Sequence, residues 1–228
     1  MRKAKNDFCA AVRRAEQDNA GEMSSITPLG PSALTEEMIS ERLAVISELP
    51  PQLPPNEIHW RRAAVLVPLL LCEGEWRLLF IRRTQTVETH RGQVAFPGGS
   101  ADAEDRTLED TALREAYEEI GLPPEKVKIL GRLPDFYTIS DFVVAPVVGV
   151  IPWPFAVRRS VAEVDRVFTI PLGWMADREH FEERPFARFS GKIENVVFFN
   201  EYDGEVVWGL TGLMTHSLLQ ALGLLASR

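Results

Sequence analysis

Cysteine and long apolar runs are scarce in this chain of 228 residues. Its two cysteines, Cys9 and Cys72, are too few for a disulfide framework, which predicts a protein of the reducing cytoplasm. Residues 1–5 are basic, but no apolar run of signal-peptide length follows them. The apolar stretch 63–72 is too short to cross a bilayer and is interrupted by Pro68. We therefore expect a cytoplasmic protein that does not enter the membrane.

An excess of positive charge is also missing. The chain has 25 Lys and Arg against 33 Asp and Glu, a net charge of −8, which argues against general nucleic-acid binding. A small anionic substrate is still compatible, because bound cations and a few arginines set the local field. At 45% hydrophobic residues the chain can bury one sizeable core. We predict one domain over residues 56–228, preceded by an N-terminal extension over residues 1–55.

Two features of the extension can be interpreted from its sequence. Thr35 is a candidate N-cap, and the apolar spacing that follows predicts a helix over about 35–47. The proline-rich stretch 50–55 predicts an extended connector. A protein-interaction arm is the alternative to a partly flexible leader.

The sequence of the domain predicts strands mixed with helices. Alternating and β-branched runs predict strands, and a turn at Asp203-Gly204 predicts a hairpin. The predicted strands are 63–71, 76–82, 94–96, 127–133, 143–151 and 166–170, with 193–202 and 205–208 as the hairpin. Helices are predicted over 171–176 and 211–226. The last helix would pack through Leu213, Leu218, Leu219, Leu222 and Leu225.

A diglycine turn, Gly98-Gly99, precedes a helix that carries several carboxylates. Residues 107–120 contain no Pro or Gly, and Gly121 then suits a helix C-terminus. At helical spacing one side is apolar, and it is formed by Ala112, Leu113, Ala116, Tyr117 and Ile120. Three glutamates share the other side, namely Glu115, Glu118 and Glu119.

These carboxylates have two competing interpretations. An acidic helix face exposed to water is common, because glutamate is usually exposed. A divalent cation would instead turn the mutual repulsion of the carboxylates into attraction, since Mg2+ prefers hard oxygen ligands. The preceding Gly98-Gly99 turn favours the second interpretation, because glycine lets a phosphate or metal approach the main chain closely.

The same segment resembles the Nudix box. The match is complete over the run Arg114-Glu115-Ala116-Tyr117-Glu118-Glu119-Ile120-Gly121-Leu122, apart from an alanine where the box has a bulkier apolar residue. Two features depart from the box: Asp105 stands where glutamate is usual, and one extra residue precedes Arg114. An insertion inside a helix would rotate everything after it by about 100°. We therefore expect the extra residue to lie in the loop before the helix.

The flanking segments resemble those of coenzyme A pyrophosphatases, a branch of the Nudix family. The similar segments are 79–83, 90–99, 138–140, 143–149, 163–168, 171–172 and 207–211. The resemblance runs from about Arg62 to Leu222, and it implies an α/β fold, the Nudix α/β/α sandwich with a mixed central sheet.

The resemblance also implies roles for individual residues. Nudix enzymes hydrolyse a diphosphate joined to another moiety, using Mg2+ or Mn2+. The implied metal ligands are Glu115, Glu118 and Glu119, with the carbonyl of Gly99. The implied catalytic carboxylates are Glu115, Glu118 and Glu163. The implied orienting residues are Arg114 and Asp105.

The implied substrate contacts are Arg82, Arg83, Arg91 and Gly98. Guanidinium groups bind phosphate through paired hydrogen bonds, but each arginine could equally be an ordinary surface cation. Glu163 could likewise be a surface acid beside Arg158 and Arg159.

The sequence therefore predicts hydrolysis of coenzyme A or acyl-coenzyme A to adenosine 3′,5′-bisphosphate and (acyl-)4′-phosphopantetheine. One alternative is a pyrophosphatase acting on ADP-ribose, dinucleotides or nucleoside triphosphates. Another is a Nudix module that binds a nucleotide without cleaving it, although the intact Arg-Glu and Glu-Glu pairs favour catalysis. A homodimer is compatible with the sequence.

Overall fold

A mixed eight-stranded sheet forms the centre of the computed structural model, which describes residues 30–47, 60–85, 91–138, 141–187 and 193–225. The strands are β1 (Arg61–Cys72), β2 (Glu75–Arg83), β3 (Val94–Ala95), β4 (Gly98–Ser100), β5 (Lys128–Arg132), β6 (Phe136–Tyr137), β7 (Phe142–Val150) and β8 (Val164–Pro171). A separate two-stranded sheet pairs β9 (Phe181–Ala187) with β10 (Ile193–Phe199). The α-helices are α1 (Glu36–Ser47), α2 (Leu108–Ile120), α3 (Leu172–Ala176) and α4 (Gly209–Ala221).

The central position of β1 follows from its sequence, which is apolar on both faces. It pairs in parallel with β7 and antiparallel with β2 and β4, which makes the sheet mixed. A two-residue turn joins β1 to β2, and both its residues, Glu73 and Gly74, have positive φ (53° and 80°). This backbone suits the tight turns that fit the right-handed twist of two antiparallel strands.

Helices pack on both faces of the sheet. Alternate residues of β1 point to opposite faces, and on each face they are apolar and pack in a cluster with a different set of helices. Val67 and Leu69 join the core cluster that contains α1 and α4. Leu66 and Leu70 join the other cluster, which contains the apolar face of α2. The predicted α/β/α sandwich is therefore confirmed.

Helix α1 is part of the larger core cluster. Ile39 and Leu43 are fully buried, and Ser40 donates a hydrogen bond to the carbonyl of Leu130 at 2.9 Å. Gly131 passes so close that an added Cβ would lie 2.9 Å from the Cβ of Leu43. The predicted boundary between residues 55 and 56 lies outside the described residues and stays a prediction.

Most predicted elements are present within a few residues. The predicted turn at Asp203-Gly204 is confirmed by antiparallel bridges between Tyr202 and Glu205 and between Phe198 and Trp208, but 205–208 does not form the predicted strand. Strand β10 pairs with β9, which the sequence analysis did not predict, and 205–208 contributes only isolated bridges. Strand β9 was not predicted because it contains Glu182, Glu183, Arg184 and Pro185, a composition that does not indicate a strand. The C-terminal helix also ends at Ala221 rather than 226.

Two assignments to apolar helix faces are also wrong. Tyr117 is 56% exposed and Leu213 is 40% exposed, so neither packs into the core. Tyr117 lies at the margin of its apolar face, whereas Leu213, nine residues before the buried Leu222, lies on the opposite side of its helix at about 100° per residue. No helix in the described ranges is long and apolar enough to cross a membrane.

Candidate active site

Helix α2 positions the acidic side chains, and both its ends are fixed by local interactions. The Thr107 hydroxyl accepts a hydrogen bond from the Asp110 amide at 3.1 Å, and the Asp110 carboxylate accepts one from the Thr107 amide at 3.0 Å. This reciprocal capping box starts the helix after the loop that contains the extra residue. Gly121 ends the helix in the left-handed conformation, with φ of 71°.

The diglycine turn lies directly against the helix. Gly98 donates its amide hydrogen to Oε2 of Glu119 at 3.0 Å. A Cβ added to Gly99 would lie 2.5–2.7 Å from the carboxylate of Glu115, so any other residue here would displace that carboxylate from its present position. Both glycines belong to β4, which pairs with β1 and thereby holds the turn at a fixed position.

Glu119 is almost completely buried, with 1% of its surface exposed. Besides accepting from the Gly98 amide, Glu119 pairs with Arg83, whose Nη1 lies 3.4 Å from Oε1. Burial raises the pKa of Glu119 to about 8, since the Gly98 and Arg83 interactions only partly offset the loss of solvation. A carboxylate in this position would gain free energy from a nearby cation.

Glu115 is the second buried carboxylate of the site. Its side chain is 16% exposed and lies one helical turn before Glu119. Burial raises the pKa of Glu115, Arg114 opposes the shift, and the charges of Glu118 and Glu163 add to it. Glu118 is different, because its side chain is 54% exposed.

Arg114 joins three carboxylates. Its Nε and Nη2 donate to the two oxygens of Asp105, both at 3.0 Å, and Nη1 donates to Glu115 at 3.0 Å and to Glu118 at 3.1 Å. Asp105 also accepts a hydrogen bond from the Thr111 hydroxyl at 2.8 Å. The Arg114 hydrogen bonds hold the pKa of the Asp105 carboxyl far below its usual range. Asp105 lies in the loop before α2, as expected, and it contacts Arg114 in spite of the extra residue.

Glu163 interacts electrostatically with the same carboxylates from a different segment of the chain. It lies in the loop before β8 and is exposed. Its charge raises the pKa values of both Glu115 and Glu119, so the three carboxylates share one electrostatic environment. The structure thus brings Glu163 towards the box glutamates, although the two segments are distant in the sequence.

The predicted substrate arginines have different surroundings. Arg83 pairs with Glu119, and its buried Nε has no hydrogen-bond acceptor among the residues that the structure describes. Arg82 points to the opposite face of β2, where it pairs with Asp165 and with the buried Glu205, each at 2.9 Å. Arg91 is exposed and follows the undescribed residues 86–90. The substrate role of all three stays a prediction.

Two parts of this site were not predicted from the sequence. One is the direct hydrogen bond between Gly98 and Glu119. The other is Thr84, which donates its amide hydrogen to the carbonyl of Glu163 at 2.9 Å. No local pattern marks Thr84, because the contact depends on the pairing of β2 with the segment before β8. The hydrogen bond from Gly98 could have been anticipated from the spacing between the turn and the helix.

The site residues fit a hard divalent cation by their donor chemistry. Glu115 and Glu119 are carboxylates held away from bulk water, and their raised pKa values show that the existing positive charge does not compensate their burial. Across the described ranges, no three acidic, histidine or cysteine side chains already converge as metal ligands. Glu115 and Glu118 are instead bound to Arg114, so a cation here would compete with that arginine for them.

Comparison with known proteins identifies the family. The NUDIX domain matches residues 60–209. A relative from Pectobacterium atrosepticum, "Uncharacterized Nudix hydrolase NudL", is 41% identical over 172 residues, 75% of this chain and 87% of the relative. A protein of the same name from Photorhabdus laumondii is 38% identical over 175 residues, 76% of this chain and 91% of the relative.

Among solved structures, a MutT/nudix family protein from Enterococcus faecalis is similar with a TM-score of 0.45 and 16% identity. The match covers 90% of this chain and 72% of that chain. The domain match spans well over half of the present sequence, and it includes the diglycine turn, the acidic helix and the segment of Glu163. The chain therefore belongs to the Nudix hydrolase superfamily.

Proposed function

We propose that this protein hydrolyses the diphosphate bond of coenzyme A or acyl-coenzyme A in the presence of Mg2+ or Mn2+. The products are adenosine 3′,5′-bisphosphate and (acyl-)4′-phosphopantetheine. The observation that carries the proposal is Glu119, a carboxylate with 1% exposure that lies between the Gly98 amide and Arg83. Such a group costs free energy in a folded protein unless a ligand compensates it.

The carboxylates of α2 supply the oxygen ligands in this proposal. Glu115 and Glu119 would hold the cation directly, Glu118 would add a ligand from the exposed side, and the Gly99 carbonyl would complete the set. When bound, the cation neutralises diphosphate charge, lowers the pKa of bound water and aligns the reacting groups. Arg114 and Asp105 would hold the Glu115 and Glu118 side chains in place.

The remaining steps fall to groups of this chain. A carboxylate of the site takes a proton from the attacking water, and Glu163 is the candidate because it lies near the box glutamates but is exposed. The water oxygen forms a bond to one phosphorus, while the bridging oxygen leaves with the other phosphate. Arg83 has a buried Nε–H without an acceptor in the described part of the chain, and a phosphate oxygen would satisfy it.

The coenzyme A assignment rests on a narrower set of observations. The flanking segments 79–83, 90–99 and 207–211 resemble the coenzyme A pyrophosphatases. Arg83 is the last residue of β2 and Arg91 lies three residues before β3, so the two arginines flank the connection between these strands. The diphosphate and the 3′-phosphate of coenzyme A would provide that charge.

A screen of diphosphates with purified protein tests the proposal. The substrates are coenzyme A, acetyl-coenzyme A, ADP-ribose, diadenosine polyphosphates and nucleoside triphosphates, each with Mg2+, with Mn2+ and with excess EDTA. Products are separated and identified by mass. Hydrolysis of coenzyme A to adenosine 3′,5′-bisphosphate, abolished by EDTA, is the expected result.

Other outcomes of the same screen contradict the proposal in different ways. Hydrolysis of ADP-ribose with coenzyme A untouched would replace the substrate but keep the chemistry. Tight binding of a nucleotide without turnover under any metal condition would assign a non-catalytic module instead.

A further inference from the structure

The pairing between β2 and β8 contains a β-bulge beside the candidate site. Arg82 lies opposite Arg166, but the next residue, Arg83, lies opposite Val164. Asp165 is therefore an extra residue on β8 with no partner on β2. A bulge of this kind bends the strand and changes the direction in which the neighbouring side chains point. Such bulges occur frequently next to active sites.

The bulge changes the face to which the start of β8 belongs. Phe168 packs in the core cluster of α1 and α4, so strict alternation would place Val164 on that same face. Val164 instead packs in the cluster of α2. A one-residue shift reverses the direction of side chains, and here it brings the segment before β8 to the face that carries Glu119.

Two residues at and just after the end of β2 hold this segment. Arg82 donates from Nε to the Asp165 carboxylate at 2.9 Å, which fixes the extra residue. Thr84 donates its amide hydrogen to the Glu163 carbonyl at 2.9 Å and its hydroxyl hydrogen to the Ala162 carbonyl at 2.8 Å. The carbonyls on both sides of the Glu163 Cα therefore accept hydrogen bonds from a single residue.

The other end of the segment is bonded to the end of α2. The amides of Arg158 and Ser160 donate to the carbonyls of Ile120 and Glu119, both at 2.9 Å. These are carbonyls of the last helical turn, which have no acceptor role inside the helix. Gly121 permits the close approach, because a Cβ there would lie 2.8 Å from the Cβ of Arg158. The segment that carries Glu163 thus connects the end of α2 to the end of β2.

We propose that Thr84 is a positioning residue that sets the place of the Glu163 carboxylate relative to Glu115 and Glu119. This inference rests on the proposed function, since it assigns Glu163 a part in diphosphate hydrolysis. Thr84 does not contact the reacting atoms in this scheme. It acts by holding the Ala162–Glu163 main chain against β2, with the bulge at Asp165 defining which face the segment occupies.

A double-mutant cycle between Thr84→Val and Glu163→Gln tests the proposal, using whichever diphosphate the wild-type protein hydrolyses. Valine keeps the shape of threonine but removes the hydroxyl. We expect Thr84→Val to lower kcat about 10-fold, as a small misplacement of a catalytic group does, while KM changes less than about 2-fold. In the Glu163→Gln background the same substitution should change kcat less than about 2-fold, because the group it positions is already inactive.

Two further variants separate positioning from loss of stability. Thr84→Ser keeps a hydroxyl and should recover the wild-type kcat within about 2-fold. Thr169→Val is the matched control, because Thr169 lies on β8, the strand that follows the Glu163 segment, and its hydroxyl accepts a hydrogen bond from Arg77 at 2.8 Å. It should leave kcat unchanged. Independent, multiplicative effects of Thr84→Val and Glu163→Gln would overturn the proposal, and so would wild-type kcat in Thr84→Val.

Amide hydrogen exchange keeps this test separate from the proposed function. Thr84→Val should accelerate exchange at the amides of Ser160 and Glu163 by about 10-fold and leave the amides of α4 unchanged. Unchanged exchange at Ser160 and Glu163 would refute the positioning role even in an active enzyme. If the wild-type protein hydrolyses no diphosphate, the proposed function fails, while the exchange result still decides whether Thr84 holds the segment.

Discussion

At the scale of single residues, Glu119 and Glu118 show how adjacent glutamates can have opposite environments. Glu119 is buried against Gly98 and Arg83, whereas the side chain of Glu118 is 54% exposed. The sequence pattern placed both on one acidic face, because helical spacing gives direction but not the position of the neighbouring turn. The free energy of burying a carboxylate is concentrated on Glu119 and Glu115, so substitutions there should have the largest effects.

Replacing Glu119 with glutamine should remove most activity and leave the fold intact. The variant keeps the shape of the side chain and loses the charge that a cation requires, so we expect kcat to fall about 100-fold or more. Steady-state kinetics with saturating Mg2+ measure this effect. Glu125→Gln is the control, since Glu125 is exposed in the turn after α2 and should keep the wild-type rate. Near wild-type turnover in Glu119→Gln would place the metal elsewhere.

The pH dependence of stability should report the same carboxylate. Burial raises the pKa of Glu119 from 4.5 to about 8, so between these pH values the native protein binds a proton that the unfolded chain has released. The free energy of unfolding of the metal-free protein should therefore fall as pH rises through this window, by up to about 1.4 kcal/mol per pH unit from this group. Urea denaturation in EDTA at a series of pH values measures it.

The Glu119→Gln variant isolates this contribution, because glutamine does not titrate. The difference in stability between the variant and the wild type should grow as pH rises from about 4.5 to about 8. Adding Mg2+ at pH 8 should stabilise the wild type more than the variant. Parallel pH profiles for the two proteins would show that Glu119 does not carry the shift.

At the scale of elements, the site consists of one turn, one helix and the loop before β8. Substituting Gly99 with alanine tests the contact between the first two. The new Cβ would lie 2.5–2.7 Å from the Glu115 carboxylate, so that side chain must move. We expect kcat to fall about 10-fold because the Glu115 carboxylate is displaced. The free energy of unfolding should fall by less than about 1 kcal/mol, since the displaced atoms are the end of a flexible side chain. Kinetics and urea denaturation of the same preparation measure both effects.

Gly173→Ala provides the comparison for that substitution. Gly173 lies in α3, and an added Cβ would meet its nearest atom at 3.6 Å, an ordinary contact. Alanine should therefore keep the wild-type kcat and be neutral or stabilising by up to about 1 kcal/mol. Equal loss of activity in both variants would mean that the Gly99 contact is not specific to the site.

The elements that the sequence predicted correctly are those with a local signal. Helix α2 has a capping residue, Thr107, and a terminating Gly121, and β1 has a long apolar run, so each could be predicted from its own residues. Strand β9 could not, because its pairing with β10 overrides a polar composition. The bulge at Asp165 could not be predicted either, since it is defined by the pairing of two strands that are distant in the sequence.

The same distinction applies to the site. Its glutamates were found through their spacing on one helix, which is a local property. The close approach of Glu163, the hydrogen bonds of Thr84 and the diversion of Arg82 to Asp165 and Glu205 are consequences of sheet pairing. They required the three-dimensional structure, because no pattern within any one segment encodes them.

At the scale of the whole molecule, the sheet separates two layers with different tasks. The layer of α2 carries the candidate site, and the layer of α1 and α4 completes the larger core. Helix α1 lies before the residues matched by the NUDIX domain, yet it contributes the fully buried Ile39 and Leu43. Stability and activity should therefore respond independently to substitutions in the two layers.

Leu43→Ala should destabilise the protein without altering the chemistry of the site. Leu43 is completely buried and packs against Gly131, so its truncation leaves a cavity and should cost about 2–5 kcal/mol in the free energy of unfolding. Val45→Ala on the same helix is the matched control, because Val45 is 63% exposed and its truncation should change stability by less than about 0.5 kcal/mol. Urea denaturation gives both values, and kcat per folded molecule at low temperature should be unchanged in each variant. A Leu43→Ala protein as stable as the wild type would show that α1 does not contribute to the core. A lowered kcat in fully folded Leu43→Ala protein would show that the two layers are coupled through the sheet.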